Sequence, residues 1–253
     1  MTAPIWVEAG FWGLVAGATL VVGAAVAWFV RVPRDVVATV MAFGAGVLVS
    51  ALSFELVSDA VESGGLASTA AGFLGGAVTY VAANVALARA GARHRKRAGD
   101  EQPSEDDDAG SGAAIAVGAL LDGVPESVVL GLSLFGGNGI GVTVLAAIAS
   151  SNLPEGLSSA AGMKRAGRSA RYVFGVWGGI ALVSGVAAAA GALVLQDASP
   201  TTVAVITSVA AGAILAMVAD TMIPEAFERA HALTGLVTSL GFLAALTIDR
   251  LGT

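Results

Sequence analysis

A chain of 253 residues with 56% hydrophobic and only 13% charged side chains lacks the polar surface that water demands, because soluble domains carry about 25% charged residues. It holds no cysteine, which excludes disulfides, thiolate metal ligands and a cysteine nucleophile. The net charge of −6 is dominated by acids gathered between positions 100 and 108, and no nucleic-acid partner is expected.

About 20 apolar residues cross the hydrocarbon of a bilayer. Eight segments qualify: 5–30, 36–60, 66–88, 111–135, 140–163, 172–195, 201–226 and 232–249. No basic stretch precedes the first, which predicts a retained span rather than a cleaved leader. Short connections carry the expected breakers: Arg31-Val32-Pro33-Arg34-Asp35, Ser63-Gly64-Gly65, Gly136-Gly137-Asn138-Gly139 and Asp197-Ala198-Ser199-Pro200. Segment 89–110 is the one long connection. It runs from a basic cluster (Arg93, Arg95, Lys96, Arg97) into an acidic one (Asp100 to Asp108), a composition that predicts a disordered, solvated loop. Glycine pairs four apart, Gly13–Gly17, Gly72–Gly76 and Gly175–Gly179, predict close helix packing within the chain.

Loops after spans one, three, five and seven hold every Lys and Arg except Arg250. The excess predicts those loops in the cytoplasm and both termini outside a plasma (inner) membrane. The expected fold is one all-α, multi-pass domain over 1–253, an eight-helix bundle in contact with the lipid bilayer.

Of the carboxylates in or beside these spans, seven carry the argument, Glu55, Asp59, Asp122, Glu126, Glu155, Asp220 and Glu225, and no Lys, Arg or His lies within the spans. Each acid at a helix centre costs roughly 2.5–3.5 kcal/mol on insertion scales. The group must therefore be protonated, hydrated or neutralised by a cation. Asp122, Glu126, Asn152 and Glu155 lie near the middle of spans four and five. Asp122 and Glu126 share a helix face, as do Ser151 and Glu155. These five residues are the candidate cation site, with Glu55 and Asp59 outward of it and Asp220 and Glu225 inward as a candidate pathway.

Proline marks the same places. Val124-Pro125-Glu126, Leu153-Pro154-Glu155 and Ile223-Pro224-Glu225 repeat one step inside helices. Each proline frees the carbonyl four residues earlier, which in lipid must be satisfied by protein, water or ion. A repeat joins the two halves: Ala45-Gly46-Val47-Leu48 with Asp59-Ala60 matches Ala211-Gly212-Ala213-Ile214 with Glu225-Ala226, at a constant offset of 166. Spans one to three and six to eight then read as inverted copies around spans four and five, a 3+2+3 arrangement suited to alternating access.

In these residues the chain resembles the ZIP family (Zrt/Irt-like metal transporters) over nearly its whole length. Ser151-Asn152-Leu153-Pro154-Glu155-Gly156 looks like the family's His-Asn-x-Pro-Glu-Gly, and Asp122-Gly123-Val124-Pro125-Glu126-Ser127 follows the same pattern. The resemblance implies a divalent-metal pathway between spans four and five. It also implies Glu126 and Glu155 as bridging ligands, Asn152 as a further oxygen ligand, and a homodimer.

The chain departs from the family where Asp122 and Ser151 replace histidines and Gly123 replaces an asparagine. His94 and His231 read as solvated residues near the surface. An all-oxygen donor set suits manganese or iron, with zinc still favoured in raw affinity. The expected function is transport of divalent metal (Zn, Mn or Fe) into the cytoplasm. The alternatives are a proton or other cation transporter, or a metal sensor without flux. An enzyme is not expected, since no His lies within the spans to activate a serine.

Overall fold

The structure, a computed structural model, describes residues 3–92, 95, 102, 111–136 and 141–252. The connection 137–140 and most of 93–110, including His94 and the acidic run, lie outside the described residues. Every regular element among the described residues is helical. They form eight rods: α1 (Ile5–Phe29), α2 (Arg34–Ala51, Leu52–Leu56 and Val57–Gly64 in succession), α3 (Leu66–Leu87, ending in Ala88–Ala92) and α4 (Ser111–Leu132). After these come α5 (Val142–Arg165), α6 (Ala170–Leu195), α7 (Pro200–Met217, Val218–Met222 and Ile223–Ala230) and α8 (Leu233–Gly252).

Seven rods are long and apolar enough to cross a membrane. The remaining one, α5, has the length but carries Ser150, Ser151, Asn152, Glu155, Ser158 and Ser159. It is the polar rod, and Ser151, Asn152, Glu155, Ser158 and Ser159 are all buried. Protein, rather than lipid, therefore surrounds its polar face.

Local chemistry sets the ends. Ser169 and Ser199 cap α6 and α7 by accepting from the backbone N–H of Tyr172 (3.2 Å) and Thr202 (3.1 Å). Pro200 stands at the first helical position, where its missing N–H costs nothing. Gly65 and Gly167 turn the chain between rods at φ +81° and +78°, a region that other residues rarely adopt. At the end of α1, Lys164 donates to the Trp28 carbonyl at 2.6 Å and lies over its ring.

Packing relies on backbone approach. α1 lies against α5 and α6, α2 against α5 and α8, α3 against α7, and α4 against α6 and α7. A Cβ on Gly46 would stand 1.9 Å from the Thr238 carbonyl oxygen, and one on Gly212 would stand 1.9 Å from that of Phe73. Glycine is thus required where α2 meets α8 and α7 meets α3. Gly13 and Gly17 likewise abut α6, and Gly72 and Gly76 abut α7, as expected of small-residue pairs. The third pair differs: nothing lies within 4 Å of a Cβ at Gly175 or Gly179, because α6 turns that face away from the bundle.

Two rods are locally unwound. α2 and α7 each contain one wide, π-helical turn, Leu52–Leu56 and Val218–Met222. Such a turn absorbs one extra residue and loosens the carbonyl ladder. Hydroxyls within them bond back to the preceding turn: Ser53 to the Val49 carbonyl and Thr221 to that of Met217, both at 2.7 Å.

Candidate functional site

The candidate residues of α4 and α5 face the interior. Asp122, Glu126, Ser151, Asn152 and Glu155 are all buried, Glu126 at 2% and Glu155 at 3% exposure. The Ser151 hydroxyl stands 3.5 Å from Glu126 Oε1, so the two proline-bearing helices bring their polar steps together. Asn152 Nδ2 donates to the Ala16 carbonyl at 3.0 Å and fixes α5 to α1. Close approach repeats at the proline: a Cβ on Gly44 would sit 2.9 Å from the Ser150 carbonyl oxygen, the group that Pro154 leaves without its helical donor.

Asp122 has a different neighbourhood from the one its span suggests. Arg95, which follows α3, reaches back into the bundle and is 3% exposed. Its Nε donates to Asp122 Oδ2 and its Nη2 to Oδ1, both at 3.0 Å. Tyr80 donates its hydroxyl to the same Oδ1 at 2.6 Å and accepts from Nη2 at 3.1 Å. Asn84 Oδ1 accepts from Nη1 at 2.7 Å. Burial alone would pull the guanidinium's pKa down, but the Asp122 carboxylate outweighs it and holds Arg95 above its ordinary value. The Glu155 carboxylate also acts on Arg95 through space. The spans carry no basic residue, as the sequence has it, but the inference that Asp122 must find a proton, water or foreign cation fails. Its partner comes from the long connection, beyond the spans.

The remaining acids separate. Glu225, on α7, is buried at 8% exposure and accepts from the Ser158 hydroxyl at 3.1 Å, which ties α5 to α7. Asp220 is exposed. Glu55 and Asp59 line a cavity of about 710 Å³ at the opposite end of the bundle from Arg95, together with Glu62, Ser63, Ser133 and Thr207. Val129 and Val144 also line it, and Val129 is one helical turn, about 4.5 Å of rise, from Glu126. Among the described residues, no three His, Asp or Glu side chains stand together as a ready metal cage.

Arg95, Tyr80, Asn84 and Gln102 were not singled out from sequence. Tyr80 and Asn84 carried a signal, a polar pair one turn apart on an apolar span. Arg95 carried none, being one cation in a charge run. Comparison with protein-family models and with curated proteins finds no match for this chain.

Proposed function

We propose that this protein is a membrane carrier of divalent metal cations, with manganese, iron or zinc as cargo. The ion passes the Pro-Glu steps of α4 and α5 by alternating access. Glu126 and Glu155 are its anionic ligands, assisted by Asn152 and Ser151, and Asp122 is the next carboxylate inward. The observation that carries the reading is the burial of Glu126 and Glu155 on two proline-bearing helices that meet at Ser151 and Glu126, one turn below an open cavity lined by acids. Carboxylates buried this deep in a membrane-spanning bundle are costly to place and are the usual mark of an ion pathway.

Symmetry supports the same reading. The three pieces of α2 begin at 34, 52 and 57 and those of α7 at 200, 218 and 223, so the repeat offset of 166 also relates their wide turns. Exchanging α1 with α6, α2 with α7, α3 with α8 and α4 with α5 turns the α3–α7 contact into α8–α2, and α1–α5 into α6–α4. We read this as the inverted 3+2+3 arrangement, with the basic end in the cytoplasm, both termini outside the inner membrane, and a homodimer as the assembly.

The test is uptake of Mn²⁺ and Zn²⁺ by proteoliposomes, with bound metal measured by elemental analysis. Glu126→Ala and Glu155→Ala are each expected to lower flux at least about a hundredfold, the scale of lost ligands and their supports. Flux that survives in both, or wild-type protein that binds no metal and moves none, overturns the reading.

A further inference from the structure

We infer that Tyr80, Asn84, Gly118 and Asp122 form a guanidinium-binding site that Arg95 fills from within the chain, so that Arg95 is a tethered cation which a permeating ion must displace to reach Asp122. The part concerning permeation rests on the carrier reading above. The part concerning the site rests on its geometry.

The receptor is built for a guanidinium rather than for a generic positive charge. Both Asp122 oxygens are engaged side-on by Nε and Nη2, and the remaining nitrogen, Nη1, meets Asn84 Oδ1. Arginine's planar fork satisfies all three acceptors at once, which the point charge of lysine cannot do. Space is reserved as well. A Cβ on Gly118 would lie 2.5 Å from Arg95 Cδ and 2.9 Å from Nε, so any side chain there would push the arm aside. Gln102 adds an anchor, its Nε2 donating to the Arg95 carbonyl at 3.0 Å and to that of Ser159, on α5, at 3.1 Å.

The same contacts make the occupant exclusive. A divalent cation at Asp122 would need the oxygens that Arg95 holds, and two cations a few ångströms apart repel strongly in a buried setting. Binding at Asp122 is therefore a competition: an ion held there weakens the seating of Arg95 by the factor by which Arg95 weakens the ion, and removing Arg95 raises the ion's affinity.

The experiment uses the full chain and free guanidinium as the probe. Arg95→Ala is expected to melt below wild type. Guanidinium chloride at about 10 mM, and not sodium chloride, should restore at least half of that loss by binding the folded state. The rescue should be absent in Arg95→Ala/Asp122→Asn. In titrations, Arg95→Ala is expected to bind Mn²⁺ about tenfold more tightly than wild type, and guanidinium should return it to the wild-type value. Gly118→Ala, which crowds the arm while keeping its charge, should shift in the same direction and serves alone if Arg95→Ala does not fold. Guanidinium that changes neither readout overturns the inference, as does measurable Mn²⁺ binding that is no tighter in either variant. If neither wild type nor variants bind Mn²⁺ or Zn²⁺, the carrier reading falls separately, and guanidinium-dependent melting still decides whether Asp122 holds a displaceable cation.

Discussion

On the Arg95 side of the bundle the carboxylate of Asp122 meets a guanidinium and the Tyr80 hydroxyl in a space closed to solvent. At the opposite end, Glu55, Asp59 and Glu62 share an open cavity of about 710 Å³ with no Lys or Arg among the described residues of its lining. The two ends solve the same problem, a negative charge near an apolar interior, by opposite means. The closed side supplies its cation from the chain, whereas the open end places its acids on a cavity wall beside hydroxyls such as Ser63 and Thr207. The difference teaches that charge compensation varies along the bundle, supplied from within the chain on the Arg95 side of Glu126 and left to an open cavity on the other.

The comparison breaks most visibly if Arg95 is removed. Arg95→Leu leaves Asp122 buried without its cation and is expected to destabilise the protein by about 3–5 kcal/mol, whereas Arg95→Leu/Asp122→Leu should recover most of the loss. Unfolding of purified protein in detergent measures both. Equal melting of the single and double variants would show that the pair does not hold the closed end.

A smaller effect separates packed glycines from open ones. Gly46→Ala forces a methyl into the Thr238 carbonyl and should cost about 1–3 kcal/mol. Gly175→Ala meets nothing and should be neutral or mildly stabilising, within about 1 kcal/mol. The same unfolding measurement ranks them, and a reversed order would mean that α2 and α8 are not in contact there.

The smallest change belongs to the open end. Asp59→Asn weakens the field that gathers cations in the cavity. It is expected to lower the initial uptake rate about two- to fivefold at low ionic strength and hardly at all in about 0.5 M salt. Loss of all flux at every salt concentration would instead make Asp59 a ligand.

Much of the fold was legible because lipid writes strong constraints: long apolar runs, short connections and polar residues only where protein can receive them. The α5 rod shows this well, since Asn152 and Glu155 mark a protein-lined face in the sequence itself. The wide turns were not legible. Leu52–Leu56 contains no proline or glycine, and its unwinding arises from packing that spacing does not encode. Arg95 was hidden for another reason. A charge run reads as solvated on average, and a single member reaching Asp122 depends on Gly118 leaving room, a three-dimensional coincidence of residues 23 positions apart.

The wide turns have a consequence for how length changes are tolerated. An α-helix rotates about 100° per residue, so the extra residue taken up at Leu52–Leu56 sets the angular phase of Val57–Gly64 independently of Arg34–Ala51. Deleting one residue there would act as a rotation rather than a shortening, swinging Asp59 away from the cavity while leaving the Gly46 face of α2 seated. At Val218–Met222 the same deletion would turn Glu225 out of reach of Ser158. Each wide turn is thus a phase joint, and single-residue deletions should be far better tolerated in the connections between rods than at these two places.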